Sequence, residues 1–210
     1  MDKVKSILVS QPRPEGDENP YFDLADKYNL KIDFRPFIHV EGVTAKDFRT
    51  QKINILDHTA IILTSKNAAD HFFRVCEETR VTVPESMKYF CVSENIAYYL
   101  QKYVVYRKRK IFYGGNTFRD LIEVLKRYKG EKFLLPSIDD LKPTIPESLD
   151  ALGVDYTKAV LYKTVCSNLS DLADVNYDIL VFYSPSGLKS LFEHFSSFHH
   201  YLTTISVFGP

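Results

Sequence analysis

The chain has 210 residues, a length that suits one large domain or two small ones. Apolar residues make up 45% of it and aromatic residues 14%, so the sequence can build packed cores and does not have the composition of a disordered chain. The 27 basic and 27 acidic residues balance, which argues against a nucleic-acid binder, because such proteins depend on excess positive charge. No apolar stretch approaches the length of a membrane span.

The three cysteines, Cys76, Cys91 and Cys166, lie far apart and form no C-x-x-C pair. This pattern indicates reduced thiols in a cytosolic protein rather than a disulfide framework or a zinc site. The first residues lead directly into a strand and lack the apolar segment of a signal peptide, so the expected location is cytoplasmic. The fingerprint G-x-G-x-x-G follows none of the predicted strands, so no dinucleotide site is expected.

The N-terminal part of the chain alternates between strand and helix signals. Residues 4–10 predict a strand and residues 20–28 a helix, with Pro20 suited to its first turn. Residues 30–43 are extended, and a proline within them indicates an edge or connecting strand. A second helix is predicted for residues 45–54.

The segment AIILTSKNAADHFF, residues 60–73, predicts a buried strand that runs into a helix through small polar residues. A helix start carries unpaired N–H groups and the positive end of the helix dipole, so Thr64 and Ser65 could hold an anion there. The alternative is that Ser65 only caps the helix, as serine commonly does.

The middle of the chain repeats this pattern of strand, polar turn and helix. KYFCVSENIAYYLQKY predicts a strand, a polar turn and a helix, and KFLLPSIDDLKPTIPESLDALG predicts a strand and a helix that ends at Gly153. Between them, the basic residues 106–110 favour a solvated edge strand over a carboxylate-binding strand or a nuclear-targeting segment. A Gly-Gly-Asn turn at 114–116 precedes another helix. Repeated strand–helix alternation predicts parallel sheets covered on both faces.

A second strand–serine–helix junction occurs in DILVFYSPSGLKSLFEHF, residues 178–195. Here Ser184, Ser186 and Gly187 stand between the strand and the helix, so two similar α/β units that share an anionic ligand are expected. A last strand is predicted in TTISVFGP at the end of the sequence.

Two extended stretches of similar character, near Pro36 and in DYTKAVLYKTV, read as one outgoing and one returning connection between domains. The fold class is therefore predicted as α/β, with two parallel-sheet α/β domains joined by a two-stranded linker, the first domain being discontinuous. The predicted boundaries are residues 1–35 and 167–210 for domain 1, 40–160 for domain 2, and about 33–40 and 158–166 for the linker strands.

Five short motifs occur in an order and at intervals that resemble uroporphyrinogen-III synthase. They are Thr64-Ser65-x-Asn67-Ala68, Gly115-Asn116 opening a helix, Leu161-Tyr162-Lys163-Thr164, Phe182-x-Ser184-Pro185-Ser186-Gly187, and Gly209-Pro210. Each motif is short and unspecific by itself, whereas the ordered set covers essentially the whole chain.

The resemblance implies two α/β domains joined by a two-stranded ladder, with the active site in the cleft between them. It implies that the linear tetrapyrrole hydroxymethylbilane loses water and closes to uroporphyrinogen III with its last pyrrole ring inverted. No metal or organic cofactor is expected, and the expected partner is this small molecule, bound by a monomer. The alternative is a non-catalytic tetrapyrrole-binding or regulatory module of the same fold; a sensor of a small anion is a weaker third possibility.

The substrate carries acetate and propionate arms, so backbone N–H groups at helix starts could bind it without a large basic patch. The candidate binding residues are Thr64, Ser65, Asn67, Ser93, Asn95, Asn116, Ser184, Ser186, Gly187 and Gly209. Tyr162 is the catalytic candidate, because a phenol can give a proton or hydrogen bond to the departing hydroxyl while uncharged at neutral pH. The alternative is an ordinary core tyrosine, one of 14 in the chain.

The sequence departs from the family pattern in two places. Where the family has Gly-x-x-Thr-Ala, this chain has Ser93-Glu94-Asn95-Ile96-Ala97, so a hydroxyl contact there would have to come from Ser93 or Asn95. The family also continues past the Gly-Pro pair with a Thr-rich turn and a helix. Both departures favour the non-catalytic alternative.

Overall fold

The computed structural model describes residues 4–16, 19–173, 175–195 and 203–208. Its strands are β1 (Ser6–Val9), β2 (Lys31–Phe34), β3 (Ile38–Gly42), β4 (Ala60–Leu63), β5 (Lys88–Cys91), β6 (Ile111–Tyr113), β7 (Lys132–Ile138), β8 (Asp155–Cys166), β9 (Ile179–Phe182) and β10 (Thr204–Val207). Its α-helices are α1 (Pro20–Tyr28), α2 (Ala45–Thr50), α3 (Lys66–Glu78), α4 (Glu94–Tyr99), α5 (Phe118–Leu125), α6 (Thr144–Leu152) and α7 (Pro185–His194).

The chain divides into two compact units. Unit 1 contains residues 1–40 and 164–210, and unit 2 contains residues 41–163. Each unit has a sheet of mainly parallel strands with helices packed on it, so the prediction of a mixed α/β fold is confirmed. Strands β3 and β8 contain the two points at which the chain passes from one unit to the other.

The sheet of unit 1 has the order β10-β9-β1-β2, and its neighbours are parallel throughout. Its core contains Leu8 from β1, Phe182 from β9 and Leu191 from α7. Phe37 packs edge-on against Phe182, with 5.3 Å between the ring centroids. This small core places the start of α7 beside the carboxyl ends of β1 and β9.

The sheet of unit 2 has the order β3-β8-β7-β4-β5-β6, and the pairs from β8 to β6 are parallel. On its central strand β4, Ile61 and Leu63 face a core formed with α2, α3 and α4, whereas Ala60 and Ile62 face a core formed with α5 and α6. Because both faces of β4 are buried, all its residues are apolar, as the parallel-sheet interpretation requires.

Two predicted elements are shorter or divided in the structure. The extended stretch 30–43 forms two strands, β2 and β3, separated around Pro36, which cannot donate a ladder hydrogen bond. The helix predicted for 45–54 ends at Thr50, because Lys52 adopts a left-handed backbone with φ of 55° that an α-helix cannot contain.

Two further predictions near β6 are wrong. The basic run is not an edge strand: the N–H groups of Lys110 and Ile111 both bond to the carbonyl of Arg107, which closes a turn before β6 begins. Asn116 does not open α5, since its φ is 121° and the helix begins two residues later. Thr117 is the cap, in a reciprocal capping box with Asp120.

Candidate active site

The candidate site in unit 2 lies where its parallel strands end. Because the carboxyl ends of parallel strands meet at one edge of a sheet, the residues that follow β4, β5 and β6 come to the same edge. Ser65 follows β4 and Ser93 follows β5. On β8, Tyr162 pairs with Ile138, the last residue of β7, and therefore reaches this edge as well.

Ser65 and Tyr162 are brought together by the fold although 97 residues separate them in the sequence. Their hydroxyl oxygens are 3.4 Å apart. Ser65 also caps α3, because its Oγ accepts a hydrogen bond of 3.0 Å from the N–H of Ala68. The capping interpretation and the site interpretation therefore apply to the same side chain.

Tyr162 is largely buried, with 6% of its surface exposed. Burial raises the pKa of its phenol above the usual value of 10, and the hydrogen bond with Ser65 acts in the opposite direction. The phenol is therefore protonated at neutral pH and able to donate.

His71 is a site residue that the sequence reasoning missed. Its ring stacks on that of Tyr162, with 4.9 Å between the centroids and 18° between the planes. Its Nδ1 accepts a hydrogen bond of 3.2 Å from Nε of Arg74, so the ring proton of the neutral form lies on Nε2. Burial first, and then the charge of Arg74, lower the pKa of His71. The chain has six histidines, and a histidine on an amphipathic helix such as α3 gives no distinct signal in the sequence.

The start of α4 differs from the starts of the other site helices. Ser93 occupies the cap position, but its side chain makes no capping hydrogen bond, and it is partly exposed. Asn95 is exposed in the first turn. Ile96, which stands where the family has threonine, is 7% exposed and packs into the unit 2 core. An aliphatic side chain therefore occupies this position and supplies core packing instead of a hydroxyl.

The remaining unit 2 candidates lie on the surface of the same edge. Thr64 is half-buried between β4 and the α3 cap, and Asn67 is exposed in the first turn of α3. Asn116 is exposed beside the cap of α5. Gly114, two residues before Asn116, is required for packing, because an added Cβ would lie 2.7 Å from the backbone nitrogen of Leu121.

Unit 1 contains the second helix start. The Oγ of Ser184 accepts a hydrogen bond of 3.1 Å from the N–H of Gly187, and Pro185 occupies the first helical position. Ser186 is half-buried and Gly187 is buried. The hydroxyl of Tyr183 contacts that of Tyr21, a pairing that the sequence analysis did not foresee. Gly209 lies outside the described residues.

Within the described ranges, no group of three or more histidine, cysteine or acidic side chains could hold a metal ion. Burial raises the pKa of the Cys76 and Cys91 thiols to about 12, so both are unreactive thiols. No helix in the described part of the chain is long and apolar enough to cross a membrane. A cavity of about 420 Å³ adjoins the starts of β5 and β6, and no candidate residue is among those that line it.

Comparison with solved structures defines the class of protein. The structure resembles a mutant uroporphyrinogen III synthase from Thermus thermophilus, with a TM-score of 0.59 and 13% identity over 98% of this chain and 84% of the other. It resembles the uroporphyrinogen-III synthetase from Helicobacter pylori equally well, with a TM-score of 0.58 and 16% identity over the same shares of the two chains. A comparison with curated protein sequences gives no match. At these identities the structural likeness establishes the fold: this is an α/β protein with the uroporphyrinogen-III synthase architecture.

The family follows from the sequence. Residues 23–210 match the family model of uroporphyrinogen-III synthase HemD, and the chain belongs to that family. It is thus an enzyme of haem biosynthesis that cyclises hydroxymethylbilane to uroporphyrinogen III, with loss of water and inversion of the last pyrrole ring. The resemblance read from the five ordered motifs is confirmed.

Proposed function

We propose that Tyr162 gives a hydrogen bond, and then a proton, to the hydroxyl that leaves the terminal ring of hydroxymethylbilane. The observation that carries this proposal is the position of a buried, protonated phenol beside Ser65 at the carboxyl edge of the unit 2 sheet. Loss of hydroxide needs a donor that remains protonated at neutral pH, and the raised pKa of Tyr162 meets that need.

The carboxylate arms of the substrate bind, in this proposal, at the starts of α3 and α7. The first turn of α3 leaves the N–H groups of Lys66 and Asn67 without intrahelical partners, and the positive end of the helix dipole lies there. Lys66 adds a full positive charge, with its ammonium 5.3 Å from the ring centroid of Tyr99. At α7 the corresponding N–H comes from Ser186, since Pro185 has none and Gly187 already donates to Ser184. Such binding suits a protein whose net charge is zero.

The other proposed contacts with the substrate come from the remaining candidate residues. Thr64 and Ser65 flank the α3 start. The hydroxyl of Ser93 makes no capping hydrogen bond and is therefore available to a substrate arm. The further residues of this group are Asn95, Asn116, Gly187 and Gly209.

Control of the conformation of the linear tetrapyrrole is the other proposed task of the enzyme. Once the hydroxyl has left, the cationic intermediate is reactive enough to close without help, which gives the isomer with the last ring not inverted. The protein must hold the tetrapyrrole so that the substituted carbon of its last ring is attacked. This task depends on orientation more than on acid–base chemistry.

We also propose that β3 and β8 form the two-stranded linker between two domains, for which the sequence predicts residues about 33–40 and 158–166. The support is that the chain passes between the units only within these two strands. A two-stranded linker can serve as a hinge, so we expect the interdomain angle to change on ligand binding. X-ray scattering of the free and the product-bound enzyme tests this, and superimposable profiles would count against the hinge.

The decisive test of the chemistry uses freshly prepared hydroxymethylbilane, oxidation of the products and separation of the porphyrin isomers. Isomer III should dominate and increase with enzyme concentration. Ser65→Ala and Ser184→Ala should raise KM, because each changes one helix start, while isomer III remains the product. Isomer I alone at every enzyme concentration would overturn the proposed chemistry.

A further inference from the structure

We infer that His71, Arg74 and Gly42 form a positioning network that holds the phenol of Tyr162 in its donating orientation. These residues do not touch the reacting atoms in this scheme; they act through Tyr162. The inference therefore rests on the proposed role of Tyr162 as the donor.

The network begins at Gly42, the last residue of β3. The guanidinium of Arg74 lies directly against this glycine, and a Cβ built there would be 2.7 Å from Nη2 and 2.8 Å from Cζ of Arg74. Real Cβ atoms do not approach other atoms so closely, since the repulsion is too strong. Glycine at this position therefore leaves the space in which the guanidinium sits.

Arg74 then fixes the backbone next to Tyr162. Its Nη2 donates to the carbonyl of Val43 at 2.8 Å and to the carbonyl of Leu161 at 3.2 Å. The N–H of Val43 donates to the same Leu161 carbonyl at 2.9 Å. On the outer side, Nη1 of Arg74 pairs with Glu78 at 2.6 Å, so the guanidinium is held from several directions. The residue that precedes Tyr162 is thus tied to α3 as well as to the sheet.

Arg74 also orients His71, and His71 orients the phenol. The Nε donor of Arg74 bonds to Nδ1 of the histidine, which fixes the plane of the imidazole. That plane stacks on the ring of Tyr162 at 4.9 Å, while Ser65 contacts its hydroxyl. The ring face, the hydroxyl and the adjacent backbone of Tyr162 are each held by a different group. Displacement of a catalytic group by about 1 Å can cost about a hundredfold in rate, so this restraint matters for a proton donor.

The test uses three variants, one matched control variant, and steady-state kinetics with isomer analysis. His71→Ala should lower kcat about five- to thirtyfold with KM changed less than about twofold, because orientation and not substrate binding is lost. His71→Phe keeps a stacking ring and should recover kcat to within about threefold of the wild type. Gly42→Ala should lower kcat as His71→Ala does, since the new methyl group displaces the guanidinium without altering any side chain at the site. His58→Ala, a histidine of unit 2 outside the network, is the matched control and should leave kcat unchanged.

A double-mutant cycle separates this inference from the proposed role of Tyr162. In the Tyr162→Phe background, His71→Ala should have almost no further effect on kcat, because the donor that it positions is already lost. Wild-type kcat in folded Tyr162→Phe would overturn the donor role itself. A slow Tyr162→Phe together with wild-type kcat in Gly42→Ala and His71→Ala would overturn only the network. Additive losses in the double mutant would also overturn it, since His71 would then act independently of Tyr162.

Discussion

Replacement of Tyr162 by phenylalanine removes one oxygen atom and leaves the packing of the ring intact. The phenylalanine ring can still stack on His71, where the centroids are 4.9 Å apart. The lost hydrogen bond is a long one of 3.4 Å, and Ser65 still accepts from Ala68 at 3.0 Å. A typical hydrogen bond contributes about 0.5–1.5 kcal/mol, so this one should contribute no more than about 0.5 kcal/mol to the free energy of unfolding.

The effect on catalysis should be much larger than the effect on stability. A single positioned proton donor typically contributes about a hundred- to ten-thousandfold in rate. Departure of the hydroxyl is already easy in water, so the expected loss in kcat is about ten- to a hundredfold, or roughly 1.4–2.7 kcal/mol in the activation barrier. KM should change little, and isomer III should remain the product, because neither helix start is altered.

The assay combines initial rates on freshly prepared hydroxymethylbilane, isomer analysis of the oxidised products, and a thermal melt. Tyr156→Phe is the matched control, because Tyr156 lies on the same strand β8 but pairs with residue Phe133, near the opposite end of β7. It should leave kcat within about twofold of the wild type. If a well-folded Tyr162→Phe enzyme kept the wild-type rate, Tyr162 would be an ordinary strand tyrosine and the proposed donor would be wrong.

Three further predictions concern residues around this tyrosine. Ser65→Ala should lower the free energy of unfolding by about 1 kcal/mol through loss of the α3 cap, and it should raise KM. The control Thr44→Ala, which removes the cap of α2, should lower the free energy of unfolding without changing KM. The lowered pKa of His71 means that the unfolded chain binds its proton first as pH falls below the ordinary value of 6.5. Its contribution to stability is therefore complete above pH 6.5 and is lost as pH falls through the folded-state pKa. The melting temperature of His71→Phe should therefore decrease less between pH 7 and pH 5 than that of the wild type. Ile96→Thr restores the hydroxyl of the family pattern but places it in the unit 2 core, and it should lower the free energy of unfolding by about 1–3 kcal/mol in chemical denaturation; an unchanged midpoint would mean that Ile96 does not pack as the structure shows.

The local features of this protein can be read directly from its sequence. A short apolar strand, a serine and an apolar helical face predict both junctions, because capping is decided within a few residues, and Ser65 and Ser184 do cap α3 and α7. The apolar run of β4 likewise predicts a strand buried on both faces. The misplaced start of α5 was also a local matter: Thr117 and Asp120 form a capping box that takes precedence over Asn116.

The arrangement around Tyr162 depends on tertiary structure. Ser65 and Tyr162 meet because β7 lies between β4 and β8, and an alternation of apolar runs does not specify the order of strands in a sheet. The stack of His71 on Tyr162 needs α3 packed over that part of the sheet, and the close approach of the Arg74 guanidinium to Gly42 depends on the same packing. Contacts between residues far apart in the chain depend on which elements become neighbours, and that is decided by the packing of the whole core.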